Sequence, residues 1–140
     1  MFFACGNDEY GQLGLGRAFE GEEDDEEAEV HTFQPVALPD GKQVQQVASC
    51  DTFTIVLTTD GSLLACGEAN YVNDLLVTPS DEENVTSFQL MTPLPDGKVA
   101  KQIVAGGYHT MILTEDDTVF VCGWNQFGQL GLGDTTNRNT

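Results

Sequence analysis

The stretches "VASCDTFTIVLTTDGSLLACG" (residues 47–67) and "IVAGGYHTMILTEDDTVFVCG" (residues 103–123) align at a shift of 56 residues without a gap. Thr54, Leu57, Thr58, Asp60, Cys66 and Gly67 face Thr110, Leu113, Thr114, Asp116, Cys122 and Gly123. What the two copies keep is an apolar strand, a polar turn, a second apolar strand and a closing glycine, so the repeated unit is a β-hairpin. "LPDGK" at residues 38–42 returns at 94–98 with the same shift, which extends the repeat beyond the hairpin. Asp60-Gly61 predicts a tight primed turn, because Asp-Gly accepts positive φ. Asp116-Asp117 lacks the glycine and predicts a looser one.

A third, partial copy opens the chain. "FFACGNDEYGQLGLG" (residues 2–16) falls on "FVCGWNQFGQLGLG" (residues 120–133) when Cys5 is set on Cys122, so Cys5, Cys66 and Cys122 hold one position in three successive units. The first interval, 61 residues against 56, is longer where an acidic run sits, which reads as an insertion in a surface loop, where added length costs little closure entropy. The middle unit carries "EANYVNDLL" (residues 68–76) where "GQLGLG" would stand. The twice-used "GQLGLG" (residues 11–16 and 128–133) is not a phosphate loop: its order is GxxGxG, no Lys-Ser or Lys-Thr follows, and no helical period comes after. It reads as a structural stamp in which glycines turn the chain between strands and Leu13, Leu15, Leu130 and Leu132 plug the space between units.

With those residues in view, "IVAGGYHTMILTEDDTVFVCGWNQFGQLGLGDTTNR" (residues 103–138) resembles a repeat of the regulator of chromosome condensation family, and the resemblance covers the whole chain once the partial and degenerate copies are included. It implies an all-β fold of propeller blades, each of four antiparallel strands. The family's ring has about seven blades, and this chain holds about two to three, an incomplete ring. The expected layout is one repeat domain: a partial blade at 1–19, an acidic loop insertion at 20–31, and repeat units at 32–87 and 88–140. The first copy begins on the second strand of a hairpin and the last ends where another unit would start. That fits a fragment of a longer propeller, a subunit that completes a ring with other chains, or a truncated sequence. Open flanks expose apolar surface and unpaired edges, so self-association through them is expected.

The charge balance narrows the partners. Five Lys and Arg against 23 Asp and Glu give the 140-residue chain a formal net charge of −18. Such a surface repels a phosphate backbone, so direct nucleic-acid binding and adhesion to anionic membranes are not expected. The run "EGEEDDEEAE" (residues 20–29) supplies eight of the acids and reads as a solvated loop. Glu22, Glu23, Asp24, Asp25, Glu26 and Glu27 form a candidate partner-binding loop, suited to a basic protein. The run lacks the alternating ligands and turn glycine of a calcium loop. Four widely spaced cysteines without a CxxC pair, behind a start with no secretory leader, fit a reducing intracellular setting, cytoplasmic or nuclear.

No catalytic, cofactor-binding or metal-ligating residue is expected. His109 in "GGYHT" belongs to the repeat pattern, where the resemblance implies packing and hydrogen bonding within a blade, and its counterpart Phe53 cannot act as a base. His31 reads as a solvated loop residue. Cys5, Cys66 and Cys122 suit a strand end packed against a neighbouring blade, and no zinc spacing is present. Trp124, Tyr108, Tyr71, Tyr10 and Phe127 either fill blade cores or anchor an interface. The leading reading is a non-enzymatic protein-interaction module, the alternative a guanine-nucleotide exchange factor for a Ran-like small GTPase, as the resemblance implies. A regulatory region within a larger enzyme is a third.

Overall fold

The computed structural model describes residues 2–17 and 28–138. Its strands are β1 (Phe2–Asn7), β2 (Glu29–Val36), β3 (Val44–Ser49), β4 (Phe53–Thr58), β5 (Leu63–Glu68), β6 (Asn84–Leu90), β7 (Ala100–Ala105), β8 (His109–Thr114) and β9 (Val119–Gly123). They form three antiparallel sheets in the orders β1-β2, β3-β4-β5-β6 and β7-β8-β9. Registers repeat at the expected shift: Thr54 faces Cys66 and Thr110 faces Cys122. The sheets stand side by side as propeller blades and do not close into a ring. The one α-helix among the described residues, α1 (Ala69–Val72), is a single turn after β5, and no helix there is long and apolar enough to cross a membrane.

Strand alternation explains how the blades hold together. On the middle blade, Ile55, Leu57, Leu63 and Ala65 join Ile103 and Ile112 of the third blade in one apolar cluster. The opposite-facing Val56, Leu64 and Cys66 join Val36 and Phe88, with Phe2 and Leu15 of the first blade packed on them. Every residue of β4 is buried, whereas β8 alternates and β9 has none fully buried. Two polar locks reinforce the apolar contact. Gln46 accepts from the Ile103 amide (2.9 Å) and donates to the Ile103 carbonyl (2.6 Å), tying the inner strands of two blades. Gln12 Nε2 donates to the Asp51 carbonyl at 3.1 Å, and Cys66 Sγ donates to the Gln12 carbonyl at 3.4 Å.

The Cys-Gly signature has a backbone reason. Gly67 and Gly123, at φ +126 and +112, pass so close to the preceding hairpin that a Cβ would lie 2.3 Å from the Thr52 carbonyl or 2.4 Å from that of Tyr108. The "GQLGLG" loop likewise presses on the next blade: a Cβ on Gly14 would fall 2.3 Å from the Phe88 ring, and the Gly16 amide donates to the Thr86 carbonyl at 2.7 Å. The stamp is therefore an inter-blade spacer.

Several expectations need correction. The Asp60-Gly61 turn is not primed: only Gly61 of the pair has positive φ (+81), and the Gly61 amide donates to the Thr58 carbonyl, giving a three-residue loop with a bulge. Asp116-Asp117 is not looser, because Asp117 adopts φ +64 and repeats the same bonds. In both turns a threonine hydroxyl and a lysine grip the first aspartate: Thr58 and Lys42 on Asp60, Thr114 and Lys98 on Asp116. Those donors pull both carboxyls well below the usual range. β2 starts at Glu29, so residues 29–31, grouped by composition with the acidic loop, are strand; His31 is an exposed strand residue beside Glu29. Leu130 is buried and Leu15 packs inward, but Leu132 is 47 % exposed because no described residue covers it.

The repeats also expose a defect. Asn125, fully buried, donates its amide to the Asp134 and Thr136 carbonyls and accepts from the Leu130 amide. Its counterpart Asp8 accepts from Leu13 in the same way, yet Oδ2 is buried without a hydrogen bond, 3.9 Å from Arg17. Burial pushes this carboxyl up, against the opposing pull of the Leu13 amide and Arg17.

Two predictions follow from these contacts. Gly14→Ala should destabilise the fold by about 1–3 kcal/mol more than Gly131→Ala in chemical denaturation, since both glycines sit at φ +68 but only Gly14 has a neighbour in the way. Asp8→Asn should stabilise the chain at neutral pH by about 1–2 kcal/mol. Because the folded carboxyl titrates above its unfolded value, its ionisation cost is absent below the unfolded pKa and grows as pH rises through the folded one. The gain should therefore vanish in acid, which melting curves across pH would check.

Candidate functional site

The connections after β1, β5 and β9 and the turns before β4 and β8 all emerge at one end of the blades, and there the aromatic residues gather. A row runs from inside to outside: Phe53 to Tyr71 with centroids 6.3 Å apart, Tyr71 to Tyr108 at 5.5 Å, Tyr108 to Trp124 at 5.9 Å, and Trp124 to Phe127 at 5.2 Å. The last two contacts are edge-to-face, the favourable aromatic geometry. Phe53 is 3 % exposed, Tyr71, Tyr108 and Trp124 are half-buried, and Phe127 is 80 % exposed. The row thus begins as core and ends as surface.

Between these rings lies a cleft of about 210 Å³ whose lining includes Phe53, Tyr71, Tyr108, Thr110, Trp124 and Arg138. Among the described residues no Asp or Glu is in that lining, and the nearby acids Glu9 and Glu68 act on the tyrosines around it. The Tyr10 hydroxyl is held above its ordinary range first by Glu9, then by burial and Glu68. Burial raises that of Tyr71, and Glu68 adds to it. Arg138, the one cation in the lining, already donates to Asp134 at 2.7 Å and to the Thr136 carbonyl at 2.7 Å. Cys122 also lines the cleft, with its thiol pushed up to about 11 by burial, so it is neutral and a poor nucleophile at pH 7.

The structure brings together Tyr10, Tyr71, Tyr108, Trp124 and Phe127, all read from the sequence as either core or anchor. Phe53 and Glu68 were missed, though each occupies a repeat position, facing His109 and Trp124, where a change of residue type was visible. Glu22, Glu23, Asp24, Asp25, Glu26 and Glu27 lie outside the described residues. The described residues flanking that run, Arg17 and Ala28, both lie against Asp8, after the end of β1 on this same side. His109 packs its ring over Gly106, where a Cβ would lie 2.1 Å away, and makes no hydrogen bond through its ring to a described residue. No group of three or more His, Cys, Asp or Glu able to hold a metal ion occurs among the described residues.

A second cleft, about 480 Å³ and strongly apolar, follows the open edge of β9 between Leu75, Met91 and Leu94 on one side and Ile112, Phe120 and Val121 on the other. The opposite flank exposes Phe3 (59 %) and Phe33 (72 %).

Family models of the regulator of chromosome condensation (RCC1) repeat match residues 2–57 and 100–129. Among curated proteins, the chain is 26 % identical over 97 % of its length to the ultraviolet-B receptor UVR8 of Arabidopsis thaliana, covering 28 % of that protein. It is 34 % identical over 94 % of its length to the secretion-regulating guanine nucleotide exchange factor of Mus musculus, covering 26 % of it. Among solved structures, it superposes on Prp20p of Saccharomyces cerevisiae, studied for its binding properties to Gsp1p and histones, with a TM-score of 0.77 at 21 % identity, covering 99 % of this chain and 32 % of that one. Human WBSCR16 gives a TM-score of 0.74 at 22 % identity, with 97 % and 31 % covered. These structural likenesses establish the blade fold, and the chain spans about a third or less of each of these proteins.

The gradient along the aromatic row predicts a split in stability. Phe53→Ala should cost about 3–5 kcal/mol, whereas Phe127→Ser should stay within about 0.5 kcal/mol of the unsubstituted chain in the same denaturation experiment.

Proposed function

The chain belongs to the regulator of chromosome condensation repeat family, and from that premise we propose that it is a non-enzymatic protein-interaction module working through the aromatic, acid-bordered end of its blades. The observation that carries this reading is the row from Phe53 to Phe127, which continues past what the core needs and ends in an exposed ring. Large aromatics that stay half-exposed around a cleft are what interface hot spots are made of. The net charge of −18 favours a basic partner, intracellular in the cytoplasm or nucleus, with the acidic run at residues 22–27 assisting the approach. Histones and a Ran-like GTPase are the natural first probes, since Prp20p was studied for its binding to Gsp1p and histones. The open flanks at β1 and β9 are the competing surface, suited to self-association.

Guanine-nucleotide exchange on a Ran-like GTPase is the alternative, favoured by the 34 % identity to a secretion-regulating exchange factor. It needs no nucleophile here, only a grip on the GTPase.

Immobilised chain should bind purified core histones or a Ran-type GTPase, more weakly as salt rises, and the double substitution Tyr71→Ala with Phe127→Ala should reduce that binding at least tenfold. Binding of neither probe would remove the support for the interaction reading. Loss on substituting Val119, exposed on β9, with the aromatic variant unaffected, would move the interface to β9. Release of a fluorescent guanine nucleotide from the GTPase should be unchanged by the chain, and acceleration would favour the exchange reading.

A further inference from the structure

Resting on that interaction reading, we infer that the cleft walled by Tyr71, Tyr108 and Trp124 receives the guanidinium of an arginine side chain from a basic peptide segment of the partner. The wall geometry suits such a group. Tyr71 and Tyr108 are inclined by 36° and Tyr108 and Trp124 by 82°, so two ring systems meet nearly at a right angle around the opening. A cation within about 6 Å of several ring centroids is attracted to each, and Trp is the strongest of the faces.

The electrostatics select the sign. Beside burial, Glu68 contributes to raising the Tyr71 hydroxyl, so its negative charge is felt at one wall of the cleft. An anionic side chain would enter against that field. Arg138 at the rim is already matched by Asp134 and the Thr136 carbonyl.

The strongest pointer is a hydroxyl without a partner. Thr110 lines the cleft, is 1 % exposed, and its Oγ1 has no hydrogen bond among the described residues. Its counterpart in the middle blade, Thr54, donates to Ser49 Oγ at 3.1 Å, but the residue matching Ser49 is Ala105, which offers nothing. A buried hydroxyl left unpaired is costly, and an arginine N–H is a donor able to satisfy the lone pairs of that oxygen. An apolar side chain in the same cleft would leave Thr110 as it is. The planar fork of arginine can stack on one wall while donating toward another, which a compact ammonium does less well.

Trp124 is the chain's single tryptophan, so its emission reports this cleft alone. The probe is a short peptide of alternating arginine and glycine, with a citrulline–glycine peptide as the neutral isostere and a fluorescein-labelled copy to follow total binding by anisotropy. The arginine peptide should change Trp124 emission to saturation and the citrulline peptide should not. Tyr108→Ala should weaken the midpoint roughly threefold to thirtyfold. Glu68→Gln should weaken it severalfold, with circular dichroism unchanged in both. Removing residues 20–27 should leave the Trp124 midpoint within about twofold, because the cleft and not the acidic run sets it. Binding seen by anisotropy with Trp124 silent, or abolished by removing the acidic run, would overturn the arginine cleft while leaving the interaction reading intact. An equal response to the citrulline peptide would overturn it as well. A failure of histones and GTPase to bind while the peptide still saturates Trp124 would count against those partners alone.

Discussion

No sheet in this chain can bury itself, and the contact between neighbouring blades is what every other feature depends on. The middle blade is buried on both faces, so Leu64, Ala65 and Cys66 of β5 are at 0 % exposure. Their repeat counterparts Phe120, Val121 and Cys122 on β9 are only half-buried. With apolar burial contributing about 25 cal/mol per Å², the same strand sequence type is worth several kcal/mol less at the flank than at the centre. Stability then behaves as a sum over neighbours. The spacing of the sum is set by backbone: Gly14 lets the "GQLGLG" loop touch Phe88, and Gln46 fixes the register of one inner strand against Ile103 of the next.

Because those contacts occupy strand interiors, residue type at the blade ends varies between repeats while the backbone pairing stays the same. Thr52 and Tyr108 hold one such position, Phe53 and His109 another, Glu68 and Trp124 a third. At each, the backbone bonds are the same: the amides of Glu68 and Trp124 donate to the carbonyls of Thr52 and Tyr108 at 2.9 and 2.8 Å. The backbone is repeated, and the side chains hung on it are not. The proposed interface sits in that difference, with Glu68 of the middle blade acting on Tyr10 of the first and on Tyr71 of its own.

Much of the fold was legible because it follows from a period. The shift of 56 residues located the hairpins and, through Cys5, Cys66 and Cys122, the partial first blade. Turn geometry was less legible, since Asp-Gly serves both a primed turn and a bulged three-residue loop, and the choice rests on Thr58, Lys42 and Ser62 gripping Asp60. That Asp117 would take φ +64 could not be read from Asp-Asp, because the same grip on Asp116 stabilises it from outside the turn. The site was half legible. Five of its aromatics stood out by type, but Phe53 was hidden by facing a histidine, Thr110 by looking like its satisfied twin Thr54, and Glu68 by lying far along the chain from Tyr10, on which its charge acts. Contacts between repeats carry no local sequence signal.

The pairing of a large net charge with a small aromatic cleft divides the work of recognition by distance. Between exposed charges, attraction is screened beyond roughly 8 Å at physiological salt, so a formal charge of −18 acts mainly on encounter and raises the rate at which basic segments arrive. It gives little selectivity, since any cation is attracted. Ring faces and an unpaired buried hydroxyl act only on contact, where screening is weak, and they distinguish a planar donor from a point charge. Salt should therefore slow arrival far more than it hastens departure. An acidic surface alone would bind every basic protein loosely, and the proposed arginine cleft is what would let this chain hold one class of side chain for longer than the others.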